Sequence, residues 1–325
     1  MANVKKPLIS ILMAVYEPRM DWLKEQLESL NAQTYPNLRL YVRDDCSPAA
    51  AFEELEALVR ECITAFPCFI ARNEKNIGSN GTFERLTLEA EGEYFAYCDQ
   101  DDVWLPEKLR VLQESIERER AQLVCSDMHI IDGDGCRVAN SITKVRKHHV
   151  FRSGEDLAVK LLISNFVTGC TMLIRADTAK AAAPFCPDMV DDHYLALFAA
   201  NKGKIVSLTE RLINYRIHGG NQTSIMAGVV DKESYCQIRI EALIRRLYWL
   251  KERFRDDSAL PPEIESALIW AEARRRNFQG DKSAAKTVMR FRRFSPLTSL
   301  FETFFSDAPE RAFMLFIRLN RRNIL

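Results

Sequence analysis

The sequence predicts an α/β fold, a mostly parallel sheet with helices on both faces, followed by a helical C-terminal region. Three observations predict it. Short apolar runs alternate with amphipathic segments through the first 130 residues, the pattern of βαβ units whose crossovers cover both sides of a sheet. From Lys232 onward the period is helical, interrupted at Pro261-Pro262, Gly280, Pro296 and Pro309. With 325 residues, 47% of them hydrophobic, the chain has material for one large core or two smaller ones. We place the main domain at 1–225 and the helical region at 226–325.

The run ISILMAV, reaching Tyr16, is a short strand bounded by Pro7 and Pro18. Met20, Leu23, Leu27 and Leu30 then repeat at helical spacing. LRLYVRD (38–44) reads as a second strand, followed by a helix with Phe52, Leu55, Leu58, Val59 and Cys62 on one face. FPCFIA (66–71) is the third strand, 80–90 a helix, and EYFAYC (93–98) the fourth strand, ending in DQDD. Pro106 opens the next helix at its first turn, where a missing N–H costs nothing. QLVCSD (122–127) is the fifth strand, and 129–150 reads as a hairpin or a mobile loop. NFVTGCTMLIR (165–175) looks like a strand, 193–203 a helix closed by Gly203, and KIVSL with LINYRIH a hairpin.

Charge is unevenly placed. The totals cancel, 45 Lys+Arg against 45 Asp+Glu, but residues 270–325 carry 12 against 5 and the remainder 33 against 40. An acidic body is thus joined to a basic tail, and nucleic acid is excluded as a partner of the whole. The nine cysteines form no CxxC pair, which points to scattered thiols in a reducing compartment rather than to disulfides or zinc. The longest stretch without charge, Leu161 to Ile174, falls short of the ~20 residues needed to span a bilayer. Met1 to Lys6 shows no signal-peptide pattern. The expected location is the cytoplasm, free or peripheral at the inner face of the plasma membrane.

Ligands of open α/β sheets sit at the carboxyl ends of strands. Here those ends carry Tyr16 and Glu17, Asp44 and Asp45, Asn73 to Gly78 with Asn76 among them, and Asp99 to Asp102. Three of these four groups are acidic, and gathered carboxylates repel one another unless a cation is present. Hard oxygen donors suit Mg²⁺ or Mn²⁺, which would keep waters and hold a substrate diphosphate. Tyr16 is then a stacking surface for a nucleotide base. The alternative is that an acidic strand end is a turn or a helix cap.

ISILMAVYEP, LRLYVRDDCS, NEKNIGSNGTF, GEYFAYCDQDDVWLPEKL, VTGCTMLI, DDHYLALFAANKG and NYRIHGGN resemble, in order, the motifs of family 2 glycosyltransferases of the GT-A fold. The flavour is that of bacterial rhamnosyltransferase-like members, and the resemblance covers roughly 7–222. It implies transfer of a sugar from a UDP- or dTDP-sugar to an acceptor hydroxyl, on a glycan or lipid-linked saccharide, with inversion. It implies that Tyr16 packs on the base and Asp45 meets a uracil or thymine imide, with Asp44, Glu17, Asn76 and Gly78 alongside. Asp99 and Asp101 would be the acids of the DxD motif, Asp101 and His218 on the metal and Asp99 toward ribose or a metal-bound water. Arg216 would fork onto phosphate. Trp104 would border the acceptor, with core packing as its alternative. Asp192 matches the family's base, Asp191 standing where relatives often carry His, and one of the two is expected as a helix N-cap. His129, His148, His149 and His193 are read as surface or packing residues.

In the tail, Phe301, Phe304, Phe305, Phe313 and Phe316 recur at near-helical spacing among Arg290, Arg292, Arg293, Arg318, Arg321 and Arg322. That composition fits an interfacial anchor on an anionic membrane, or helices packed on the body or in a homodimer. Among other functions, a haloacid dehalogenase-type phosphatase would use Asp99 as nucleophile, but its motif follows the first strand, whereas three βα units precede YCDQDDV. A nucleotidyltransferase lacks its Gly-rich loop here, and the intact acids argue against a scaffold protein.

Overall fold

A computed structural model of the chain describes residues 6–218, 228–255 and 263–324, the side chains at 316 and 319–324 excepted. The predicted boundary at 225/226, Gly219 to Asn221 of NYRIHGGN, Pro261-Pro262, and the side chains of Phe316, Arg321 and Arg322 lie outside the described residues.

The strands are β1 (Ile9–Val15), β2 (Leu38–Asp44), β3 (Cys68–Arg72), β4 (Tyr94–Cys98), β5 (Val103–Trp104), β6 (Leu123–Ile131), β7 (Arg137–Ala139), β8 (Met172–Arg175) and β9 (Ile205–Arg216). They form one sheet in the order β3-β2-β1-β4-β8-β6-β9-β5, with β7 added beside β6. The first four strands pair in parallel as the alternation predicts. Beyond them the sheet is mixed, because β8 enters antiparallel between β4 and β6.

Four helices occupy the first crossovers: α1 (Met20–Asn31), α2 (Phe52–Cys62), α3 (Gly78–Glu89) and α4 (Lys108–Arg118). Next come α5 (Ile142–Val145), α6 (Ala158–Ile163), α7 (Ala176–Ala182) and α8 (Asp191–Lys202). The C-terminal region is α9 (Lys232–Tyr235), α10 (Ala242–Arg253), α11 (Ile264–Phe278), α12 (Ala284–Arg290), α13 (Pro296–Phe305) and α14 (Glu310–Ile324).

Side-chain alternation along the strands sorts the apolar residues into two cores. Ile11, Met13, Ala96, Cys98 and Val124 face α1, α2 and α4. Leu12, Phe95, Tyr97, Leu123 and Met172 face α3 and α8, and the same cluster runs on into α10, α11 and Phe313 of α14. A period of two at the centre of a doubly covered sheet sends neighbouring residues to opposite sides. The C-terminal helices therefore complete one face of the sheet.

Two expected elements differ. KIVSL and LINYRIH form one strand, β9, rather than a hairpin. Thr209-Glu210-Arg211 is polar and exposed but supplies no Gly, Asn or Pro to turn the chain, and two register shifts against β6 keep the strand continuous. In 165–175 only Met172–Arg175 is strand, preceded by a 3₁₀ turn over Gly169–Thr171. That turn puts backbone N–H groups at the mouth of the cleft described next.

Candidate active site

The carboxyl ends of β1, β2 and β4 and the start of α8 enclose a cleft of about 580 Å³. Tyr16, Glu17, Asp45, Asn76, Gly78, Asp99, Asp101, Asp191, Asp192 and His218 all line it. The strand order places them there, because three parallel neighbours end together on one edge.

One end of the cleft joins an exposed aromatic ring to a hydrogen-bonded polar turn. Tyr16 is 45% exposed, and its backbone N–H and carbonyl exchange hydrogen bonds with the Gln100 amide at 2.8 and 3.0 Å. Glu17 takes a positive φ of 46°, donating its N–H to Ser47 Oγ and accepting from Ala49 N. Asp45 receives Asn73 Nδ2, Ile77 N and Gly78 N at 2.8–2.9 Å, so it ties β2 to the first turn of α3. Asn76 caps the same turn through Gly78 N. Asp44 lies one layer behind, fully buried against Ser47 and Arg72, and reaches the cleft only through Asp45.

The DQDD turn forms the floor. Burial, then the Asp101 and Asp192 charges, push the Asp99 carboxyl up to about 7. Asp101 Oδ2 lies 2.7 Å from His218 Nε2 at the end of β9. Asp102 is buried, accepting the Arg216 backbone N–H, and burial raises its pKa well above the usual range. Among the described residues, one set of ligand-type atoms gathers within 4.8 Å: Asp99, Asp102 and Cys170. Burial pushes the Cys170 thiol well up, leaving the Asp99 and Asp102 carboxylates as the hard donors of that set, with the Asp101–His218 pair beside it. Hard donors whose own charges repel fit a divalent cation at this floor.

Opposite stand Asp191 and Asp192. Neither is the expected N-cap, which is Val190; both are the first residues of α8 itself. Asp192 is held at each oxygen, by Asn165 Nδ2 at 2.9 Å and by Gly169 N of the 3₁₀ turn at 3.0 Å. Burial pushes its pKa up to about 6 despite those bonds. Asp191 is pushed well above the carboxylate range by burial, then by Asp192 and Asp99.

Three expected ligand contacts are corrected, Asp44 above being the first. Arg216 is 1% exposed and does not line the cleft. Its guanidinium donates to the Asp101, Asp132 and Gly133 carbonyls and pairs with Glu25, bracing the DQDD turn from behind. Trp104 is 2% exposed, its ring under Lys108 Nζ at 3.0 Å, so it packs in the core below the floor. His193 is a buried packing residue bonded to the Leu161 carbonyl.

Sequence reasoning missed Lys108 and Asn165. Lys108 lies buried under the turn, donating to the Cys170 carbonyl, and burial brings its pKa down to about 7. Asn165 is tied both ways to the Val167 backbone, which aims its amide at Asp192. Its position just ahead of VTG was the available signal.

Residues 10–180 match the family model described as glycosyl transferase family 2. An uncharacterised glycosyltransferase of Nostoc sp. is 28% identical over 242 residues, 72% of each chain. The Bacillus subtilis glycosyltransferase TuaG, named for teichuronic acid biosynthesis, is 23% identical over 181 residues, 55% of this chain and 67% of its own. Among solved structures, S. aureus TarS 1–349 in complex with UDP-GlcNAc aligns with a TM-score of 0.55 at 16% identity, over 92% of this chain and 88% of that one. That likeness is one of fold.

Proposed function

The chain belongs to glycosyl transferase family 2, and from that premise we propose an inverting transfer from a UDP- or dTDP-sugar to a hydroxyl of a glycan or lipid-linked saccharide. Cell-surface polysaccharide synthesis is the setting we propose, a reading supported by the teichuronic acid relative and by the UDP-GlcNAc held by the fold neighbour. The observation that carries it is the placement of two opposed acid groups in one cleft. Asp99 and Asp101 form its floor and Asp192 faces them from the start of α8, with an exposed tyrosine at the nucleotide end.

Tyr16 would stack on the base and Asp45 would accept from its imide. Asp101, Asp99 and His218 would hold Mg²⁺ or Mn²⁺, which supplies Lewis-acid neutralisation of the leaving diphosphate. Asp192 takes the proton of the acceptor hydroxyl as that oxygen bonds to the anomeric carbon and the bond to the diphosphate oxygen breaks. A base pKa raised toward neutrality suits this work, because the carboxylate is both available and basic. The hydrogen bonds from Asn165 and Gly169 fix its direction. Inversion follows from a single displacement without a protein nucleophile.

The test is nucleoside diphosphate release from a panel of UDP- and dTDP-sugars with Mn²⁺. Release that depends on metal and disappears in Asp101→Ala is expected. Phosphate release from a phosphoester, lost in Asp99→Asn, would overturn the reading.

A further inference from the structure

The basic C-terminal helices distribute their charges unequally between inside and outside. Five acids lie in 270–325, and four of them are spent on bases of the same segment: Glu272 on Arg275, Asp281 on Arg276, Glu302 on Arg274 and Asp307 on Lys282. The fifth, Glu310, accepts the Lys232 backbone N–H. Lys286, Arg290, Arg292, Arg293, Arg311 and Arg318 are exposed, and among the described residues none of them has a carboxylate partner.

The same helices also expose apolar residues. Along α13, Phe301 and Phe305 pack on the core, while Leu297, Leu300 and Phe304, at i, i+3 and i+7, are 77%, 39% and 73% exposed. On α14, Phe313 and Ile317 are buried and Leu315 is 60% exposed. Each helix thus buries one stripe and leaves a second facing water, and no helix among the described residues is long and apolar enough to cross a membrane.

We propose that this face of α12–α14 docks the enzyme onto an anionic lipid bilayer, the exposed leucines and Phe304 entering the headgroup boundary and the unpaired bases meeting lipid phosphates. Cationic side chains beside a short apolar stripe are what an interfacial surface uses. A second copy of the face would bring like charge against like charge. The docking rests on the proposed function only for its purpose, since a lipid-linked acceptor would be met in the same plane.

The full-length protein is sedimented with vesicles of phosphatidylcholine alone and of phosphatidylcholine containing phosphatidylglycerol. Binding to the anionic vesicles only, weakening as salt rises, is expected. Arg292→Gln with Arg293→Gln should weaken it about thirtyfold, roughly fivefold for each charge lost. Leu297→Ser with Phe304→Ser should abolish it at any salt. Circular dichroism and nucleoside diphosphate release, unchanged in all variants, show that fold and cleft are intact. Absence of sedimentation with anionic vesicles, or equal binding by the variants, overturns the proposal. So does a dimer in light scattering that the same substitutions dissolve, which assigns the face to a second copy. Vesicle binding without any diphosphate release would count against the transfer reading alone.

Discussion

Glu302 in α13 and the Asp99, Asp191 and Asp192 carboxylates of the cleft are all acids drawn back from water, and the chain treats them in opposite ways. Glu302 is fully buried, yet Arg274 grips both its oxygens at 2.6 Å and Tyr235 donates to it at 2.9 Å. Its valence is satisfied inside the chain, and it fastens α13 to α11 and α9. Asp99, Asp191 and Asp192 crowd together, Asp99 offset by Lys108, whose own charge burial disfavours, and Asp192 by Arg146. The lesson is that burial alone does not mark function. A buried acid with its partners is architecture, whereas buried acids facing one another across a cleft retain unspent charge for something that arrives.

The comparison breaks most sharply if the two sites are exchanged in the kind of damage they cause. Asp192→Asn should lower kcat by about 10²–10⁴ while nucleotide-sugar binding and thermal stability persist, as steady-state kinetics, calorimetric titration and a melting curve would show. Arg274→Ala should do the reverse. It leaves an uncompensated charge in the core and costs about 3–5 kcal/mol in denaturant unfolding, with the KM of the folded fraction unchanged.

A third test uses pH. Asp99 and Asp192 hold protons in the folded chain to about 7 and about 6, higher than when unfolded. Between about pH 4 and 7 the folded state then binds more protons than the unfolded state, so in the metal-free protein stability falls as pH rises through that window. Mn²⁺ should raise the melting temperature more at pH 8 than at pH 5, and a pH-independent increment would show that Asp99 is not among its ligands. The smallest effect is expected at Asn165→Ala, which removes one of the two bonds aiming Asp192. There kcat should drop about tenfold with KM unchanged, and an altered KM alone would assign Asn165 to substrate binding.

The parallel half of the sheet was legible because its strands are short, apolar and bounded by Pro or acidic turns. The cleft was legible for the same reason, since carboxyl ends of parallel strands converge by topology, and CDQDD follows one of them. What was not legible depends on side-chain reach across the fold. Nothing local to Arg216 shows that its guanidinium turns backward to the Asp101 carbonyl rather than outward to phosphate. Trp104 is read as an acceptor residue from the family resemblance, with core packing as its alternative, yet the two-residue strand β5 pairs with β9 and the ring is buried. The hairpin expected at β9 was misread because composition marks solvent exposure, and exposed polar residues inside a strand resemble a turn. Phe301, Phe305 and Phe313 went to the core and Phe304 to the surface, a division that follows from helical phase once α13 is anchored by Glu302.

The contact of α8 with the C-terminal helices has a consequence for how this enzyme can be cut and recombined. Tyr194 and Phe198, one and two turns along α8 from the acids, rest edge-on against Trp249 and at a tilt against Phe254 at the end of α10. Deleting everything after the last strand would therefore strip the backing from the helix that carries Asp192. A chimaera exchanging specificity loops between relatives would have to transplant α10 together with α8, as lock and doorframe.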